Sequence, residues 1–217
     1  MHDDVAPGTE EPAPTTPHLD ARSGSLPEPV ADQGQQSVTK PGPAQGPGAS
    51  LLIRAARPDD VHRVALLLSL RGRELEQTLA EAPHMIASLP VLLLARLVEP
   101  GDAQGPEDTQ APPVALAGAF ILPAAADHGE QWLVTGPIVD PDCPQGGVGR
   151  QLLGAVIDAV EALDPQARLH AVVPAEEHAL VALHRSLGFT EESRGTTFDE
   201  LDFGQDTALM LVRPSRG

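Results

Sequence analysis

Tyrosine is absent from this 217-residue chain, and cysteine, lysine and tryptophan each occur once, the first two as Cys143 and Lys40. A single cysteine excludes an internal disulfide and a cysteine-based zinc site, so no metal is expected. Long apolar runs are also missing. The longest, "PVLLLARLVEP", is interrupted by Arg96 and falls well short of the ~20 apolar residues of a membrane span. Basic charge is scarce, with 14 Lys+Arg against 31 Asp+Glu and a net charge of −17. Such a chain repels nucleic acid and anionic membrane, which leaves a small-molecule or peptide partner as the expectation.

What is present divides at about residue 50. Residues 1–50 hold nine prolines and no aromatic residue. Stretches such as "APGTEEPAPTTP" cannot bury enough apolar surface to offset the entropy of ordering them, so this segment reads as a disordered, acidic, Pro-rich tail. Its start, "MHDDVAPGTE", lacks the apolar stretch of a secretory leader, and the cytoplasm is the expected location. Residues 51–217 read as one folded domain, long enough for a proper core.

Along that domain, "SLLIRAARP" predicts a strand and "PDDVHRVALLLSL" a helix opened by Pro58, with Val61, Val64, Ala65 and Leu68 as its core stripe. "RELEQTLAEAPHMIASL" predicts a second helix with Leu75, Leu79 and Ala82 on one face. "PVLLLARLV" and "PVALAGAFIL" predict a hairpin with a long mobile loop between them. "EQWLVTGPIVD" predicts a strand with a bulge or break at Gly136-Pro137, because proline donates no ladder hydrogen bond. A helix follows from Val148 to Leu163, with an apolar face that includes Leu163, and Asp164-Pro165 stops it. Then come a strand, "ARLHAVVP", a helix, "AEEHALVALHRSLG", capped by Gly188, and two strands, "TTFDELDF" and "TALMLVRP". The order predicts a mixed α/β (α+β) layer fold on a mixed sheet, not a strict βαβ repeat.

The chemistry concentrates at "VDPDCPQGGVGRQLL", a glycine turn between strand and helix. A P-loop would carry Lys and then Ser or Thr after its last glycine, but Arg150-Gln151 stand there. A dinucleotide fingerprint would need a third glycine at Leu152. A third device uses backbone alone. Gly146, Gly147 and Gly149 let the main chain approach a pyrophosphate, and the helix beginning at Val148 offers its unpaired N–H groups. A turn that binds nothing stays open on this stretch alone.

These residues resemble the acetyl-CoA motif of the GCN5-related N-acetyltransferases (GNATs), a strand followed by Arg/Gln-x-x-Gly-x-Gly/Ala and a helix. "HALVALHRSLGF" resembles the family's second signature, and the similarity runs from "IRAARPDDVHRVALLL" to "ALMLVRP". The resemblance implies the acyl-CoA N-acyltransferase fold, with a bulged central strand beside a CoA cleft. It implies acetyl transfer from acetyl-CoA, as co-substrate, to the amine of a small molecule or peptide. Cofactor contacts would come from the backbone of Pro137, Ile138 and Val139 to the pantetheine arm, and from Gln145, Gly146, Gly147, Val148, Gly149 and Arg150 at the pyrophosphate. Homodimerisation is left open.

The chain departs from the pattern at three places. Pro144 occupies the usual Arg/Gln position, with Gln145 one place later, and Glu177 occupies the usual asparagine position. His184 occupies the position of the tyrosine that, in many relatives, protonates the departing thiolate. His184 is therefore the candidate catalytic acid, since an imidazole donates a proton near neutral pH; packing beside Leu180, Leu183 and Leu187 is the bland reading. No carboxylate lies within Trp132–Val139 to serve as base, and Asp140 and Glu130 flank it as solvated loop acids. Asp199, Glu200, Asp202 and Asp206 could attract an amine or simply form a solvated hairpin. The departures keep a second class open, a non-catalytic acyl-CoA-binding module of the same fold.

Overall fold

The structure, a computed structural model, describes residues 50–98, 112–124, 129–143, 146–198, 201–202 and 207–215. The expected disordered tail apart from Ser50, which opens the first strand, the expected mobile loop at 99–112 apart from Pro112, and Pro144, Gln145, Asp199, Glu200 and Asp206 lie outside the described residues.

Strand β1 (Ser50–Ala55) leads through a 3₁₀ turn at Pro58–Asp60 into helix α1 (Val61–Ser69), and α2 (Leu75–Ser88) follows. Strands β2 (Val91–Val98) and β3 (Ala115–Leu122) form the expected antiparallel pair. The next strand is interrupted where Gly136-Pro137 predicts: β4 (Gln131–Val134) and β5 (Ile138–Val139) both pair with β3. Helix α3 (Val148–Leu163), β6 (Leu169–Pro174) and α4 (His178–Ser186) come next. They are followed by β7 (Thr190–Gly195), a small hairpin of β8 (Thr197–Phe198) and β9 (Leu201–Asp202), and β10 (Ala208–Arg213).

The main sheet has eight strands in the order β1-β2-β3-β4-β6-β10-β7, with β5 on β3 beyond the end of β4. The β4–β6 neighbours are parallel, and the other pairs are antiparallel. Alternation along β3 decides what covers each face. Ala115, Ala117 and Ala119 lie in one core cluster with α3, whose Leu152, Leu153, Val156, Ile157 and Val160 are buried there. Leu116 lies in the other cluster, with Val64, Ala65, Leu67 and Leu68 of α1 and Ala82 of α2. Small residues on the α3 side let that helix lie close to the sheet, and each large apolar side chain buried this way contributes about 2 kcal/mol.

Three expectations need correction. "TTFDELDF" is not one strand: its described ends form the β8–β9 hairpin, with Thr197 opposite Asp202. The sheet edge is instead Thr190–Gly195, a nearly all-exposed polar segment paired with β10. Leu163 is 61% exposed and Leu75 38% exposed, while Thr78 is fully buried. Both leucines are terminal residues of their helices, Leu75 the first of α2 and Leu163 the last of α3.

Candidate functional site

The site is built where β4 stops. Gly118 of β3 faces the break, and a Cβ there would lie 2.7 Å from the backbone oxygen of Val91, so only glycine fits between β2 and the interrupted strand. Opposite it, the Thr135 hydroxyl accepts from the Gly118 N–H at 3.0 Å and lies 3.1 Å from the Gly118 carbonyl, which also accepts the Thr135 N–H at 2.9 Å. A side chain thus takes ladder positions where strand pairing lapses. On the other edge, β4 pairs with β6 only at Trp132↔Leu169 and Leu133↔His170. Past that point β5 stays with β3, and the sheet opens between β5 and the second half of β6.

Which backbone groups face the opening follows from the ladder. The Asp140 N–H donates to the Val114 carbonyl at 2.8 Å, and Val139 pairs with Ala115 while Ile138 pairs with Leu116. Antiparallel alternation then turns the N–H and C=O of Val139 away from β3, toward the opening. Pro137 has no N–H, and Ile138 faces β3. Of the three residues expected to carry the pantetheine arm, Val139 presents the donor.

The glycine turn lies just beyond. Gly147 caps α3 in the left-handed conformation, φ 82°, with no side-chain cap bond. The first helical backbone bond is from Gln151 N–H to the Gly147 carbonyl, 3.1 Å, so the amides of Val148, Gly149 and Arg150 precede the ladder. A Cβ at Gly146 or Gly147 would meet nothing within 4 Å, so the approach to these amides is open. Gly149 differs: a Cβ there would lie 3.4 Å from Pro137 Cγ and 3.5 Å from Val139 Cγ2. It lets α3 seat against the strand that leads into the turn. Arg150 is exposed and donates to the Ser186 hydroxyl, linking the first turn of α3 to the last turn of α4.

Helix α4 reaches the break from its own side. A Cβ on Gly136 would lie 3.3 Å from both δ-carbons of Leu180 and 3.5 Å from Arg71 Nη2. The Leu180 carbonyl in turn accepts a hydrogen bond from His184 Nδ1 at 2.9 Å. Because a carbonyl only accepts, Nδ1 carries the proton, and in the neutral ring Nε2 holds a lone pair. His184 is fully buried, and Nε2 has no partner. Burial pushes its pKa below the ordinary value, the Leu180 bond opposing this only in part. The ring packs edge-on against Phe189, 5.3 Å between centroids at 83°. Gly188, φ 90°, turns the chain back to place that phenylalanine. The expectation of a proton donor at His184 therefore meets a ring held neutral, with its only proton committed to a carbonyl.

Glu177 is exposed at the N-cap of α4, with no side-chain cap bond, at the opposite end of the helix from His184. Asp140 is tied to Arg63, Nη2 to Oδ2 at 2.9 Å, and that hydrogen bond holds its carboxyl below the usual range. Arg63 also donates to the Pro113 carbonyl, so α1 is fastened to the end of β5 and to the segment that leads into β3. Gln145 lies outside the described residues, and Asp202 is described only as backbone. The residues the sequence did not single out are Gly118, Thr135, Arg63 and Arg71. Of these four, only Gly118, a glycine inside a strand pattern, carries a local signal. The rest depend on cross-strand partners. Among the described residues no group of three or more His, Cys, Asp or Glu is placed to hold a metal ion, and no helix is long and apolar enough to cross a membrane.

No family model matches the sequence, and no curated protein does. Solved structures do match. A ribosomal-protein-alanine N-acetyltransferase from Brucella melitensis superposes with a TM-score of 0.55 at 19% identity, over 75% of this chain and 99% of that one. A GNAT-family acetyltransferase from Streptococcus pneumoniae gives 0.54 at 17% identity, over 76% and 99%. The NatC complex, solved with a Gag peptide and CoA, gives 0.53 at 10% identity, over 76% and 98%. The chain has the GNAT acetyltransferase fold. On that fold, the opening beyond Leu133 and the glycine turn at the start of α3 lie side by side.

Proposed function

We propose that this chain is a GNAT-family acetyltransferase that moves an acetyl group from acetyl-CoA to an amine. The observation that carries the reading is the uncapped start of α3, open at Gly146 and Gly147, beside a strand that has left its neighbour. The residues present fit the co-substrate. The amides of Val148, Gly149 and Arg150, with the helix dipole behind them, suit a pyrophosphate, and the Arg150 guanidinium adds charge. Gln145 belongs to the same set. The outward N–H and C=O of Val139 suit the amide groups of a pantetheine arm, as an added strand would. Glu177, at the opening turn of α4, is assigned a polar contact to that arm.

Acetyl-CoA would supply the acetyl group already activated as a thioester. The Val139 N–H is the donor available to stabilise negative charge on the acyl oxygen. His184 retains its proton at Nδ1 and exchanges one at Nε2: neutral, it accepts, and once protonated it is the acid for the leaving sulfur. Asp140 is excluded as base because Arg63 holds it.

Two observations favour the second reading, a module that binds acyl-CoA without turnover. The carboxylate next to the cleft is engaged, and the imidazole is held neutral. Calorimetric titration with acetyl-CoA, with NADH as control ligand, followed by assay of free thiol in the presence of an amine pool, separates the cases. Acetyl-CoA binding with thiol release supports the enzyme. Binding without release supports the module. Failure to bind acetyl-CoA removes both.

A further inference from the structure

Seven of the described arginines have a carboxylate partner. Arg54 pairs with Asp60, Arg63 with Asp140, Arg73 with Glu81, Arg168 with Glu192, Arg185 and Arg194 with Glu191, and Arg213 with Glu161. Arg71 and Arg150 instead meet only uncharged oxygens. In a chain with 31 acids and 14 bases, two guanidinium groups that meet no carboxylate stand out, and both flank the proposed cleft. Arg150 stands at the pyrophosphate turn. Arg71 stands at the strand break, on the α1–α2 side, opposite Leu180 of α4.

Arg71 is also held in place. Its turn is closed by three consecutive backbone bonds, Leu70 to Leu67, Arg71 to Leu68 and Gly72 to Ser69, at 3.2, 3.1 and 3.0 Å. Gly72, φ 80°, then redirects the chain. Nη2 reaches across 65 residues of sequence to the carbonyls of Gly136 and Pro137, at 3.4 and 3.5 Å. Those are long bonds, so the guanidinium keeps most of its donor capacity for something else.

We infer that Arg71 binds the carboxylate of the acetyl acceptor, and that the acceptor is a small amino acid-type amine rather than a peptide N-terminus. The inference rests on the acetyltransferase reading above. The distance argument sets the class. Gly136 and Pro137 lie two to three residues before Val139, so at most roughly 7–10 Å away even were the chain fully extended. A guanidinium–carboxylate contact takes about 3 Å of that. Only a few covalent bonds then separate the acceptor's carboxylate from the amine presented at the acyl group. A peptide N-terminus carries an amide at that position, which cannot form the paired N–H···O contacts of a carboxylate.

The test compares a pool of free amino acids with a pool of the same amino acids as C-terminal amides. Thiol release is followed for the full chain, for Arg71→Ala and for Arg71→Lys, with acetyl-CoA affinity measured separately by calorimetry. Expected for the full chain is a preference for acids over amides of about 10- to 100-fold in kcat/KM. In Arg71→Ala the preference falls to about threefold or less, with acetyl-CoA affinity unchanged. Arg71→Lys retains part of it, and the preference weakens as salt rises because the site is exposed. Acetyl-CoA binding with equal use of the two pools, with amides preferred, or with turnover of neither overturns the assignment of Arg71 alone. An Arg71→Ala variant that loses acetyl-CoA affinity overturns it in favour of a cofactor contact. Failure of the full chain to bind acetyl-CoA removes the acetyltransferase reading, and this assignment with it.

Discussion

The two ends of the β4–β6 pair are made from the same strands and finish in opposite ways. At the beginning of the strands the ladder holds, and a cavity of 270 Å³ lies between Glu130, Trp132, Asp164, Arg168 and His170. There Trp132 Nε1 donates to Asp164 at 3.3 Å, and Arg168 pairs with Glu192. At the other end the strands part. There the Val139 backbone, the first amides of α3 and the guanidinium of Arg71 stand around the strand break with few partners of their own. A hollow does not by itself mark a site. Polar groups positioned at structural cost and left unanswered mark one, because a chain that only had to fold would have paired them.

The sharpest way to break this contrast is to remove the device that divides the two ends. Gly118→Ala places a methyl group 2.7 Å from a backbone oxygen, where no side chain can yield. We expect a loss of about 3 kcal/mol or more, read as a lower urea midpoint. A stability within about 0.5 kcal/mol of the parent would show that the strands separate for another reason. Next in size is Gly147→Asp. The left-handed φ of 82° costs a non-glycine residue about 1–2 kcal/mol, and the new carboxylate stands at the proposed phosphate seat. Acetyl-CoA affinity should fall by at least about 100-fold while the fold survives. An unchanged affinity would empty that end of its assigned role.

A smaller effect tests the buried histidine of α4. His184 has its folded pKa depressed below the 6.5 of a free imidazole by burial. Between the folded value and 6.5 the unfolded chain binds the extra proton, so stability rises with pH across that window. The contribution is fully present above 6.5 and is lost as pH falls through the folded value. Urea midpoints at about pH 7.5 and about pH 5.5 should therefore differ less in His184→Gln than in the parent. Equal differences in the two proteins would mean that His184 is not held neutral by its surroundings.

How much of this was legible follows from the distances over which each feature is encoded. The glycine turn, the apolar face of α3 and the Gly136-Pro137 interruption are local patterns, written within a few residues, and each predicts its element directly. Strand β7 left no such trace. "TEESRG" is an edge segment exposed almost throughout, so no burial alternation marks it, and the strand signal fell on the neighbouring "TTFDELDF". The Gly118–Thr135 pair, 17 residues apart, and the contacts of Arg63 and Arg71, 77 and 65 residues away, exist only once the sheet has set its register. His184 was found by position in a signature. Its tautomer was not legible, because that depends on which carbonyl the helix presents to it.

The smallest expected effect tests the closed end. Arg168→Ala removes an ion pair whose members are 57% and 39% exposed. Solvent and salt screen such a pair, so the loss should be below about 1 kcal/mol. Acetyl-CoA affinity should not change, because Arg168 stands at the start of β6 and the proposed phosphate seat lies past its far end. A fall in acetyl-CoA affinity comparable to that of Gly147→Asp would count against the division itself. It would show that the cavity at the paired end communicates with the opening, and that the β4–β6 ladder at Trp132 and Leu133 transmits between them. An effect confined to a slight drop in melting temperature leaves the two ends independent, the paired one serving the fold and the parted one serving the chemistry.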